Sequence, residues 1–228
     1  MSRSRHPYSD PVLSLREELR ALPVLSSAPR HFDTKTAPDT PQPLFLDWFR
    51  AAVAAGEPEP HAMTLSTCDG EGRPDARILI LKNLDDDGWW FATNSASPKG
   101  RQLEQQPTAA LTFYWRALGR QVRIRGTVRA AGARQSADDF RERGLGARAV
   151  ALASRESQPL NDDAECRQAV AAARRALDAD SRMVSPTWTL YSLHPQEVEF
   201  WQADQDRMHT RLLYTRTESR WQRNLLWP

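Results

Sequence analysis

From residue 62 to residue 131 the chain passes through short β-prone runs separated by turn residues, with no regular alternation of strand and helix, and this argues against a doubly wound parallel sheet. The runs 62–67, 76–82 and 89–93 are separated by Asp-Gly steps at 69–70 and 87–88, which reads as antiparallel hairpins. Two further strands are expected at 109–115 and 121–128, after a helical insert at 97–105. The β pattern resumes at 187–193, 198–202, 211–216 and 220–225. A barrel closed by the C-terminal strands accounts for this order most simply, because closure removes exposed strand edges.

The β segments are flanked by helical ones. Leu44, Phe45, Trp48, Phe49 and Val53 have helical spacing and stop at Gly56 before Pro58, so the folded domain is expected to span 43–228. Residues 1–42 read as an N-terminal arm, partly mobile, with one short helical pattern at Val12, Leu13, Leu15, Leu19 and Leu22. An Ala-rich helical excursion occupies about 135–180.

Hydrophobic residues make up 40% of the 228, enough for a folded core. The net charge of +2 is spread through interleaved acids and bases, so nucleic acid is not an expected partner. Arg120, Arg123, Arg125 and Arg129 read as a solvated barrel exterior, since no aromatic pair interleaves them for base stacking. Cys68 and Cys166 are the only cysteines, which argues against a disulfide framework or a metal site and for a reducing cytoplasm. No run approaches the roughly 20 apolar residues of a membrane span, and no leader follows Arg3 and Arg5, so neither membrane nor secretion is expected.

Three segments carry chemistry. Ser97-Pro98-Lys99-Gly100-Arg101 has an N-cap serine, a proline at the first helical position and two cations, a helix start able to hold a phosphate and equally able to be a plain surface cap. In the expected strand containing Arg77 and Lys82, the odd separation sends the two cations to opposite faces. After Glu199-Phe200-Trp201-Gln202, an extended Arg207-Met208-His209-Thr210-Arg211 would put Arg207, His209 and Arg211 on one face, suited to an acidic ligand. A mixed-charge hairpin would carry the same residues.

Together with Phe91-Ala92-Thr93-Asn94, Gln121-Val122 and Ser154-Arg155-Glu156-Ser157, these segments resemble, in order and spacing, the successive motifs of the pyridoxine/pyridoxamine 5′-phosphate oxidase family, over roughly residues 43–228. The resemblance implies a mainly β, FMN-binding split β-barrel with flanking α-helices, acting as a homodimer with FMN at the interface. It implies that Arg77, Thr93, Ser97 and Lys99 serve the FMN phosphate, Lys82 and Gln121 the ring, and Ile78, Glu156, Ser157, Trp201 and Arg211 the rest of the cofactor pocket. Arg207 and His209 match the catalytic pair facing substrate, with Lys82 and Arg143 as further substrate contacts. The implied chemistry is hydride transfer from a small anionic substrate to flavin N5, followed by reoxidation by O2.

The match is incomplete at the substrate-phosphate site. Asp139 stands where the family has Tyr and Ala147 where it has Ser, while Pro98, Ala92 and Glu156 replace an Arg, a Tyr and a Gln around the cofactor. A kept cofactor shell and a half-lost phosphate shell imply a paralogue, with the phenazine-biosynthesis branch and its reduced tricyclic carboxylic acids as the leading expectation. The alternatives are an ordinary pyridoxine/pyridoxamine 5′-phosphate oxidase and a non-catalytic flavin- or haem-binding split barrel.

Overall fold

The first hairpin turns because the Asp69 carboxylate accepts the backbone N–H groups of Glu71 and Arg73 at 3.0 and 2.9 Å. It joins β1 (Ala62–Cys68) to β2 (Pro74–Ile80) in a computed structural model that describes residues 14–25, 31–218 and 220–228. The second hairpin, β3 (Asn83–Asp85) and β4 (Gly88–Asn94), depends on Gly88, whose φ is +121° and whose Cβ, if it had one, would lie 2.1 Å from the Leu193 carbonyl oxygen. The strand β3 is too short to leave a pattern and was not expected.

The sheet continues through β5 (Thr108–Trp115), β6 (Arg120–Ala130), β7 (Trp188–Gln202), β8 (Thr210–Arg216) and β9 (Trp221–Leu225), in the order β2-β1-β5-β6-β7-β4-β3 with β8 and β9 branching from β7. One edge of β7 pairs with β4 over Trp188 to Leu193 and with β8 over Glu197 to Gln202, so the barrel splits along this strand. Two strands were expected here, at 187–193 and 198–202, and the structure joins them. Pro195, which lacks an N–H, falls at the register shift between Arg125 and Gly126. A Cβ on Gly126 would lie 2.0 Å from the His194 carbonyl oxygen, so the missing side chain lets the long strand pass.

Among the described residues six α-helices flank the sheet: α1 (Leu15–Ala21), α2 (Pro41–Ala54), α3 (Pro98–Gln105), α4 (Ala133–Glu142), α5 (Leu145–Ala153) and α6 (Asp163–Ala179). The apolar face of α2 plugs the barrel: Phe45 is fully buried, with its ring 5.0 Å from Phe113 and 5.6 Å edge-on to Trp89. Phe32 packs edge-on against Trp48 at 5.0 Å, and the Tyr214 hydroxyl donates to the Pro38 carbonyl at 2.8 Å. The packed body therefore reaches back to Phe32, upstream of the boundary expected at 43. Ser14 and Glu17 cap α1 reciprocally, no residue of α1 is buried, and Val12 and Leu13 lie outside the described residues.

Candidate functional site

Arg77, Ile78, Thr93, Lys99, Glu156 and Ser157 line one cavity of about 470 Å³ between β2, β4, the start of α3 and the α5–α6 connection. Arg77 is braced for this position. Its guanidinium donates to Thr67 Oγ1 at 2.6 Å and pairs with Asp75 at 2.5 Å, and Thr67 in turn bonds Gln102 at 2.5 Å. Burial pushes the Asp75 carboxyl up, but the Arg77 charge and hydrogen bonds from Arg77 and the Ala76 N–H outweigh it and hold it below the usual range. Lys99 is nearly buried, and its ammonium bonds Ser97 Oγ at 3.3 Å and forms an ion pair with Glu156.

The helix start contributes less than its sequence implies. Ser97 is fully buried and does not line the cavity; its hydroxyl accepts the Gly100 N–H at 3.2 Å and its carbonyl accepts the Arg101 N–H at 3.0 Å. Pro98 has no N–H to offer. The cations that line the cavity are the Arg77 and Lys99 side chains, with Thr93 and Ser157 in the wall. Two cations beside hydroxyl donors in a half-enclosed space suit a phosphate monoester such as that of FMN, with Glu156 as the competing internal anion.

A second group forms on β6, β7 and β8. Gln121, Trp201 and Arg211 lie in register across β6, β7 and β8. Arg211 donates to Glu199 at 2.7 Å and to the Trp227 carbonyl at 3.0 Å, while Arg123 reaches the other oxygen of the buried Glu199 at 2.7 Å. His209 packs on Trp201 with centroids 4.7 Å apart, and its Nδ1 accepts the Asp204 N–H at 3.1 Å, which leaves Nε2 as the ring nitrogen available to a ligand. Arg207, His209 and Arg211 do not share an extended face, contrary to expectation. Residues 203–209 form a turn in which Asp204 accepts the N–H groups of Asp206 at 2.8 Å and Arg207 at 3.1 Å, and Arg207 is exposed with a φ of +64°.

None of Gln121, Trp201, Arg207, His209 and Arg211 lines the Arg77–Lys99 cavity. Trp188, which does line it, and Trp201 stand at opposite ends of β7, roughly 40 Å apart along the strand at about 3.3 Å per residue.

Lys82 belongs to a third group. It lies beyond the end of β2 rather than in a strand shared with Arg77, its N–H bonded to the Trp90 carbonyl at 2.7 Å. Its ammonium pairs with Asp139 at 3.1 Å, and the other Asp139 oxygen accepts the Trp188 indole N–H at 2.7 Å. Arg143 stacks on the Trp188 ring at 3.8 Å, and its Nη1 is buried without a hydrogen-bond partner. Burial lowers the Arg143 pKa from its usual value, opposed by the Asp139 charge. Ala147 is exposed on α5 and supplies no polar group. Neither Trp188 nor the Thr67–Gln102 brace was foreseen, because each acts through a partner distant in sequence.

Among the described residues no group of His, Cys, Asp or Glu could hold a metal ion, and no helix is long and apolar enough to cross a membrane. Residues 49–202 match the family model described as pyridoxamine 5′-phosphate oxidase, and residues 188–228 match the pyridoxine 5′-phosphate oxidase C-terminal dimerisation region. The pyridoxine/pyridoxamine 5′-phosphate oxidase of Pseudomonas paraeruginosa is 43% identical over 84% of this chain and 90% of its own. That of Herminiimonas arsenicoxydans is 42% identical over 86% and 92%. The crystal structure of PhzG from Burkholderia lata 383, in complex with tetrahydrophenazine-1-carboxylic acid, superposes with a TM-score of 0.81 at 31% identity, covering 85% of this chain and 95% of that one. A pyridoxamine 5′-phosphate oxidase-related, FMN-binding protein from Nostoc punctiforme shares the fold, with a TM-score of 0.69 at 20% identity over 84% and 100%.

Proposed function

Because the chain belongs to the pyridoxamine 5′-phosphate oxidase family of FMN-dependent oxidoreductases, we propose that it is a homodimeric, cytoplasmic FMN oxidase of a reduced, anionic biosynthetic intermediate. The observation that carries the proposal is the separation of two complementary half-sites. One half, around Arg77 and Lys99, suits a phosphate; the other, around Gln121, Trp201 and Arg211, suits the polar edge of a ring. They lie apart in one chain, so a cofactor touching both must sit between two chains, in keeping with the match of residues 188–228 to a dimerisation region.

In this arrangement Arg77, Lys99, Thr93 and Ser157 hold the phosphate, Ile78 contributes apolar wall, and Lys82, Gln121, Trp201 and Arg211 surround the ring. Bound FMN would supply the hydride acceptor and the means of passing electrons to O2. The chain's own part is placement. Arg207, exposed at the turn, meets the negative charge of the substrate, and His209, with Nδ1 already engaged, offers Nε2 as a hydrogen-bond partner.

For the substrate we favour a dihydro- or tetrahydrophenazine carboxylic acid, supported by the likeness to PhzG and by the pairing of Lys82 with Asp139. A second reading, oxidation of pyridoxine or pyridoxamine 5′-phosphate, is supported by the relatives of that name at 43% identity and by the presence of Lys82 and Arg143. The test is purified protein supplied with O2 and each substrate in turn. The favoured reading expects a yellow protein that releases FMN on denaturation and consumes O2 with the phenazine precursor. Turnover with pyridoxamine 5′-phosphate alone would establish the second reading, and protein that takes up no FMN would refute both.

A further inference from the structure

Asp139 already occupies what an incoming anion would need at the Lys82 end of the site. One carboxylate oxygen holds the Lys82 ammonium at 3.1 Å and the other holds the Trp188 indole N–H at 2.7 Å. Asp139 is itself well buried, with 11% of its side chain exposed. The adjoining cavity of about 410 Å³ adds Asp85, Asp138 and Glu142 around the single ammonium. Arg143, the next cation, lies against Trp188 and under the same Asp139 charge. A dianion brought here would have to displace a carboxylate bound through both oxygens, or sit beside it with little water between the like charges.

We infer that Asp139 is a specificity-determining residue that keeps phosphorylated substrates out of the Lys82–Arg143 end and admits those whose group there is uncharged or carries a single negative charge. The inference rests on the flavin-oxidase reading together with the family resemblance, which implies Lys82 and Arg143 as substrate contacts. Asp139 acts by its charge rather than its shape, so the neutral isostere and the longer acid should behave oppositely.

The experiment measures binding of pyridoxal 5′-phosphate and of unphosphorylated pyridoxal to FMN-loaded protein by equilibrium dialysis, for the parent, Asp139→Asn and Asp139→Glu. Asp139→Asn should tighten the phosphorylated ligand by about tenfold while moving pyridoxal less than about twofold. Asp139→Glu should match the parent. The ratio of the two affinities cancels any general loosening of the site. An unchanged ratio in Asp139→Asn, or an equal gain in Asp139→Glu, overturns the inference while leaving the flavin reading intact. FMN content of the same samples tests that reading separately, and protein that holds no FMN overturns both.

Discussion

At the scale of single residues, the most consequential pair is Lys99 with Glu156. The lysine is nearly buried, its carboxylate partner about one-third exposed, and the pair lines the cavity proposed to take a phosphate. An anionic ligand must therefore compete with Glu156 for the same ammonium. Glu156→Gln should raise FMN affinity by about three- to tenfold in a flavin-fluorescence titration, while lowering the melting temperature of the FMN-free protein, because Lys99 loses its counter-charge. Unchanged affinity would mean that the phosphate does not contact Lys99. A buried carboxylate with a different role is Glu199, held between Arg123 and Arg211 at 2.7 Å on each side. Replacing it with alanine leaves two guanidinium groups without their shared partner, and chemical denaturation should show a loss of about 2–4 kcal/mol.

At the scale of elements, the long strand β7 depends on a glycine in its neighbour. Gly126→Ala would drive a Cβ to within 2.0 Å of the His194 carbonyl oxygen, backbone against backbone, so neither side can yield cheaply. Denaturant unfolding should register a loss of about 2–4 kcal/mol, and a variant as stable as the parent would show that the close approach is unimportant. The same locus explains why the sequence reads as two strands there. Pro195 signals a break, and nothing local reports that Gly126, on β6, has made room. Where the determinants are local, the elements were legible. The Asp69 turn, the alternation in β1 and the 3.6-residue spacing of Phe45, Trp48 and Phe49 each suffice to define an element. The site divides in the same way. Ser97 as a cap could be read from Ser-Pro-Lys, but the Glu156 and Asp139 pairs join positions separated by 57 and 49 residues, which only the fold brings together. The Arg207–His209 turn was missed because Asp204 folds the backbone back within a stretch whose spacing also fits a strand.

At the scale of the whole molecule, the two proposed half-sites would define what assembly must accomplish. The twofold symmetry of the proposed dimer would set the Arg77 half of one chain against the Arg211 half of the other, twice over. An Arg77→Ala chain and an Arg211→Ala chain, each expected to retain little flavin alone, should form mixed dimers when co-expressed. In each mixed dimer one site collects both lesions and the other collects neither, so random pairing should restore about a quarter of the normal flavin content. No recovery would show that both halves belong to one chain's site. In such a dimer Trp188 and Trp201, fixed at opposite ends of one strand, would gain a meaning in heredity. Two differently damaged alleles in one cell would then compensate for each other in part, although neither alone would supply a chain able to hold flavin.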